Sequence, residues 1–131
     1  MVKWFVEEER SPEVERLRTE ATAAVSHLTQ VELVSALARR HREGSITAEG
    51  LEALLTTSAE ELAGVVLVQL SETVLRRAQD LLLRHPLRAA DALQLSSCLE
   101  LQERLQQSVG FAAFDRRLNE AAKLEGLRLA F

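Results

Sequence analysis

The stretch Val65-Val66-Leu67-Val68-Gln69-Leu70, followed at once by Ser71-Glu72, decides how this chain is read. Six uncharged residues rich in valine have the length and β-branched content of a buried strand. Ser71 then offers a hydroxyl as a helix N-cap, and Glu72 places an acid in the first turn. A helix is expected from Glu72 to about Arg84, where Pro86 separates it from its successor. A strand running directly into a capped helix is the repeating half of a βαβ unit.

The same alternation extends outward in both directions. Towards the C-terminus, Leu87–Gln106 reads as a long helix, Val109–Phe114 as a strand and Arg116–Glu125 as a helix. Gly126 is its stop, and Leu127–Phe131 is a last strand. Towards the N-terminus, Ala23–Leu28 is a brief apolar strand, and Thr29-Gln30-Val31-Glu32 reads as a capping box opening a helix that reaches Arg42 and ends near Gly44. A second helix is expected from Thr47, with a further helical stretch over Ser58–Leu62 ending near Gly64, compatible with a helical hairpin. Ser11-Pro12-Glu13 supplies an N-cap, a proline at the first helical position and an acid, opening a short helix to about Glu20. Strands separated by helical stretches indicate an α/β fold with a parallel sheet covered by helices, organised as one domain over residues 1–131.

Composition narrows the function. The chain has 131 residues and a net charge of −4, with 47% hydrophobic residues. A broad basic surface for duplex binding is not expected, so contact with nucleic acid would be local, through a few arginines or a metal ion. No apolar run approaches a membrane span and no cationic leader opens the chain, so no membrane association is expected. The lone cysteine, Cys98, excludes an internal disulfide and a cysteine-based zinc site, and with the missing leader suggests a reducing, cytoplasmic setting. Of 20 acidic residues only three are aspartate, namely Asp80, Asp91 and Asp115.

These three differ in their surroundings. Asp91 shares a helical stripe with Leu95, Cys98 and Leu99, at i+4, i+7 and i+8, so its carboxylate points with the core residues. A buried carboxylate must be paired, protonated or bound to a cation. The plainer alternative is a first-turn aspartate favoured by the helix dipole and paired with Arg88. Asp115 follows a strand and precedes a helix, which suits an N-cap and equally suits a site at the carboxyl end of a parallel strand. Asp80 lies between Arg76 and Arg84, a solvated helix face, and is assigned no chemistry. Glu32 is explained by the capping box and falls towards Arg39 rather than the Leu33/Leu37 stripe. His27, His41 and His85 have no metal-ligand spacing, and Cys98 reads as a small buried hydrophobe. Trp4 and Phe5 read as core or interface anchors. No Gly-rich phosphate loop or GxSxG elbow is present.

The runs Leu87-Arg88-Ala89-Ala90-Asp91-Ala92-Leu93-Gln94-Leu95 and Phe111-Ala112-Ala113-Phe114-Asp115-Arg116-Arg117-Leu118 together resemble the PIN-domain family, and within it the VapC-type toxins of bacterial and archaeal toxin–antitoxin pairs. Val2-Lys3-Trp4-Phe5-Val6-Glu7-Glu8 is similar to the family's first helix, and Thr29-Gln30-Val31-Glu32 to the segment after its second strand. The resemblance implies a three-layer α/β/α domain and a metal-dependent endoribonuclease. Carried over by motif, the acids that would hold Mg²⁺ or Mn²⁺ are Glu32, Asp91 and Asp115, with RNA as substrate and a cognate antitoxin and a second copy as partners. Two departures accompany it. The family's first strand, which ends in an aspartate, would fall before Met1 and is expected to be absent, leaving an apolar N-terminal edge around Val2, Trp4 and Phe5 that favours dimerisation. Ala113 stands where the family commonly has a threonine or serine. An alternative is a catalytically impaired PIN-like module that binds protein or RNA.

Overall fold

The computed structural model describes residues 2–6, 22–113 and 115–129. Five parallel strands form one sheet: β1 (Val2–Val6), β2 (Thr22–Ser26), β3 (Val66–Val68), β4 (Gly110–Ala113) and β5 (Arg128–Leu129), in the spatial order β3-β2-β1-β4-β5. Five helices are described: α1 (Leu28–Arg42), α2 (Ala48–Leu62), α3 (Glu72–Arg84), α4 (Ala89–Leu105) and α5 (Arg116–Leu124).

The first strand corrects the sequence reading. Val2–Val6 is expected as a helix following an absent strand, yet it is itself the central strand. It pairs with β2 through Val2↔Thr22 and Trp4↔Ala24, and with β4 through Lys3↔Gly110 and Val6↔Ala113. The physical reason is backbone hydrogen bonding. With nothing between them, β2 and β4 would each leave a row of N–H and C=O groups unmet, and an apolar segment containing Val2, Trp4 and Val6 is well suited to satisfy both rows. The expected open edge at Val2, Trp4 and Phe5 is therefore absent, because that strand is flanked on both sides. The Ser11-Pro12-Glu13 helix lies outside the described residues.

The described side chains of β2 and β4 alternate across the sheet and pack on both of its faces. Ala24, Val68, Phe111 and Ala113 join a core with Ala78 and Leu81 of α3, Ala92, Leu95, Cys98 and Leu101 of α4, and Leu118, Ala121 and Ala122 of α5. Val25 and Ala112, one residue out of phase, pack on the opposite side with Leu62, Val65 and Leu67. Apolar residues on both faces are what an all-parallel sheet between two helical layers requires. The fold is the three-layer α/β/α arrangement that the resemblance implies.

Several expected boundaries hold. Ser71 caps α3, its side chain accepting the Val74 N–H at 3.2 Å, and Gly44 and Gly126 take the positive φ (81° and 93°) that lets the chain leave a helix without a Cβ clash. Other expectations change. The stretches from Thr47 and from Ser58 are one continuous helix, α2, capped by Thr47 and packed beside α1. Val65–Leu70 contracts to the three residues of β3, and Val66 is exposed because β3 lies at a sheet edge. The capping box is not formed. α1 starts at Leu28, so Thr29 lies inside it, His27 is its N-cap without a side-chain bond, and Ser26 Oγ accepts the Leu28 N–H instead.

Candidate active site

The strand order places the site. The chain moves outward from β1 through β2 to β3, then returns to the other side of β1 for β4, so the order reverses between β1 and β4. In open parallel sheets the crevice at the carboxyl ends of such a pair is where ligands bind. Asp115 follows β4 at this point, since Val6 and Ala113 pair at the ends of the two strands.

Asp115 is held by short-range contacts. It is the N-cap of α5, its Oδ1 accepting the Leu118 N–H at 3.0 Å, and its carbonyl accepts the Asn119 N–H. Asn119 Nδ2 also donates to the Ala113 carbonyl at 2.8 Å, which ties the end of β4 to α5. The N-cap reading of Asp115 holds, and the capping residue is exposed beside the crevice. Ala113 is buried in the core, so at this position the side chain packs instead of supplying a hydroxyl.

Asp91 reaches the same place from α4. Arg88 is the N-cap of this helix, which puts Asp91 in its first turn, with 16% of its side chain exposed. Its Oδ2 receives a long contact of 3.4 Å from Arg88 Nε, as the plainer alternative expects. Asp91 and Asp115 line one open pocket of about 430 Å³ together with Pro86, Arg88, Arg116 and Arg117. The helix behind Asp91 is buried over more than one stripe. Leu95 and Cys98 are inside as expected, and so are Ser96, Ser97 and Glu100. Ser96 Oγ donates to the Val74 carbonyl, while Arg104 and Arg77 flank the Glu100 carboxylate.

Glu32 is not among the residues lining that pocket. It lies on α1, where its Oε1 accepts from Gln94 Nε2 at 2.7 Å, and the same amide nitrogen donates to Thr29 Oγ1 at 3.0 Å. Gln94 is buried, one turn along α4 from Asp91, and its Oε1 has no hydrogen-bond partner among the described residues. Thus the two ends of the expected capping box both engage Gln94, a residue the sequence reading passes over. Its position three residues after Asp91 is the available signal, because i and i+3 share a helix face. The remaining candidates behave as simple side chains. Asp80 is exposed, and its neighbours Arg76 and Arg84 pair with Glu72 and Glu125 instead. His85 meets Glu125 at 2.7 Å, and His41 Nδ1 lies 3.1 Å from the Ile46 carbonyl.

The described residues bring together two carboxylates, and no group of three or more histidine, cysteine, aspartate or glutamate residues that could hold a metal ion occurs among them. Two oxygen donors in an open, water-accessible pocket still suit a hard divalent cation, since Mg²⁺ keeps several waters and is anchored by one or two carboxylates.

Comparison with known families places the fold. The family model described as PIN domain matches residues 1–124, and the chain belongs to the PIN-domain family. PIN domains are in general nuclease modules that use divalent metal ions. No curated protein matches the chain. No helix among the described residues is long and apolar enough to cross a membrane.

Proposed function

We propose that this protein is a metal-dependent endoribonuclease of the VapC toxin type, with Asp91, Asp115 and Glu32 as its acidic residues and Mg²⁺ or Mn²⁺ as its cofactor. The observation that carries the reading is the shared pocket of Asp91 and Asp115 beside the β1/β4 crossover. Asp91 and Asp115 would bind the ion directly. Glu32 would join them through water or by leaving Gln94, whose amide now holds it one turn from Asp91. A divalent ion bound there would polarise a phosphodiester and lower the pKa of a bound water. The chain's own contribution is positional. The α5 cap and the Asn119 tie fix Asp115, and the packed body of α4 fixes Asp91. The proposed setting is cytoplasmic. A cognate antitoxin and a second copy are the proposed partners, for which exposed Val31, Val34 and Leu54 offer apolar surface.

The test is cleavage of structured RNA by the purified chain, freed of any antitoxin and supplied with Mn²⁺ or Mg²⁺. Cleavage that stops with chelation and falls at least 100-fold in Asp91→Asn and in Asp115→Asn is the expected result (roughly the loss of a metal-anchoring carboxylate). A metal-loaded chain that leaves RNA intact overturns the reading. That two carboxylates, and no third, share the pocket among the described residues favours one alternative, a PIN-like module that binds RNA or protein without cutting. Calorimetric titration separates the two. Tight Mn²⁺ binding that Asp91→Asn abolishes supports the nuclease, and undetectable binding supports the module.

A further inference from the structure

The pocket that holds the two carboxylates is also ringed by cations. Among the described residues, Arg88, Arg116 and Arg117 line it beside Asp91 and Asp115, in a chain whose net charge is −4. Their placement runs against local electrostatics. Arg116 and Arg117 open α5, whose first turn contains no acid, and Arg88 is the N-cap of α4 with no side-chain capping bond. Helix N-termini carry partial positive charge, so cations there are disfavoured unless something negative joins them. Among the described residues that line the pocket, Asp91 and Asp115 offset only part of this charge. Arg88 contacts Asp91 through Nε alone, and Arg116 contacts Glu120 through Nε at 3.4 Å. Arg117 has no acidic partner among the described residues. A guanidinium carries five N–H donors in a planar fork matched to phosphate oxygens, so each of the three retains donors for a ligand.

We propose that Arg88, Arg116 and Arg117 form a phosphate-binding rim that seats the backbone of single-stranded RNA across the Asp91–Asp115 pocket. The proposal rests on the nuclease reading for the identity of the polyanion, and on the pocket for the residues. It answers the difficulty raised by composition, that an acidic protein needs a local route to nucleic acid. The rim concentrates cations at the one place where a phosphodiester would have to approach two carboxylates. Phosphate contacts of this kind set register and orientation along the strand without reading its sequence.

The experiment is fluorescence anisotropy of a labelled single-stranded RNA oligonucleotide over a salt series in EDTA, which removes metal-dependent cleavage from the readout. Removing one arginine–phosphate pair should flatten the slope of log K against log salt by about 0.7. Arg116→Gln/Arg117→Gln is expected to flatten it by about 1.4, and adding Arg88→Gln by about 0.7 more. Arg40→Gln, an exposed arginine at the far end of α1, is expected to leave it unchanged. An unchanged slope in the double variant, an equal effect from Arg40→Gln, or no RNA binding by the parent chain would each overturn the rim. The two ideas fail separately. Arginine-dependent binding without metal-dependent cleavage retains the rim and removes the nuclease, whereas cleavage with an arginine-independent slope does the reverse.

Discussion

Gln94 joins two helices through one amide nitrogen, and its value can be measured. Gln94→Leu would leave Thr29 and the partly buried Glu32 carboxylate without their donor, so a loss of about 1–3 kcal/mol is expected in urea unfolding. Gln94→Glu should lose more above the ordinary carboxylate pKa, where two like charges would face each other, and recover part of it in acid. An unfolding midpoint unchanged in both variants would show that the bridge contributes nothing. Cys98 offers a second check. Burial without a charged partner pushes its thiol well above the ordinary range, so a thiol reagent at pH 8 should label it only after unfolding. At this scale the sequence is informative wherever the cause is local. Asp115 as a cap, Cys98 as core and Asp91 beside Arg88 all follow from a few neighbouring residues. Glu32 does not, because its partner lies on another helix and its local pattern imitates a capping box that α1 bypasses by starting at Leu28.

The ends of α3 and α5 are fastened together by a group whose ionisation can be followed. Glu125 receives His85 Nε2 at 2.7 Å and Arg84 through both Nε and Nη2. Burial pushes its carboxyl up, but hydrogen bonds and charge from Arg84 and His85 together outweigh that and hold it below the usual value of 4.5. A depressed carboxylate contributes its stability above the unfolded pKa and loses it as pH falls through the folded one. The gap between the parent chain and Glu125→Gln should therefore be full at neutral pH and close in acid, below 4.5, in thermal unfolding across pH. A gap that widens in acid would reverse the assignment. Ser71→Ala tests the cap of α3 and should cost about 1 kcal/mol by urea midpoint. Helix starts and stops of this kind are readable in the sequence because Ser71, Thr47, Gly44 and Gly126 act within one turn of themselves. Strand β1 is not. Five apolar-rich residues carry no period that separates helix from strand, and the deciding factor is pairing with segments far away in the chain.

For the molecule as a whole, the core is carried by α4, whose buried side chains meet strands and two other helices at once. Leu95→Ala, at a wholly buried position, should cost about 2–5 kcal/mol, and a loss below about 1 kcal/mol would mean that the centre of the core lies elsewhere. The α/β class is legible from alternating segments, but the strand order is not, since it depends on which strands meet after all of them exist.

That order bears on how the protein comes into being during synthesis. The middle of the sheet is made by β1, while its neighbour β4 lies far later in the sequence, so Lys3 waits for Gly110. At ribosomal speeds of roughly 5–20 residues per second, the gap lasts on the order of 5–20 seconds. Throughout that interval one edge of β1 has no β4 beside it, and Asp115 has not been added to the chain. The pocket is therefore assembled only after α4 and β4 have both been made. A chain still early in synthesis carries Glu32 without Asp91 or Asp115.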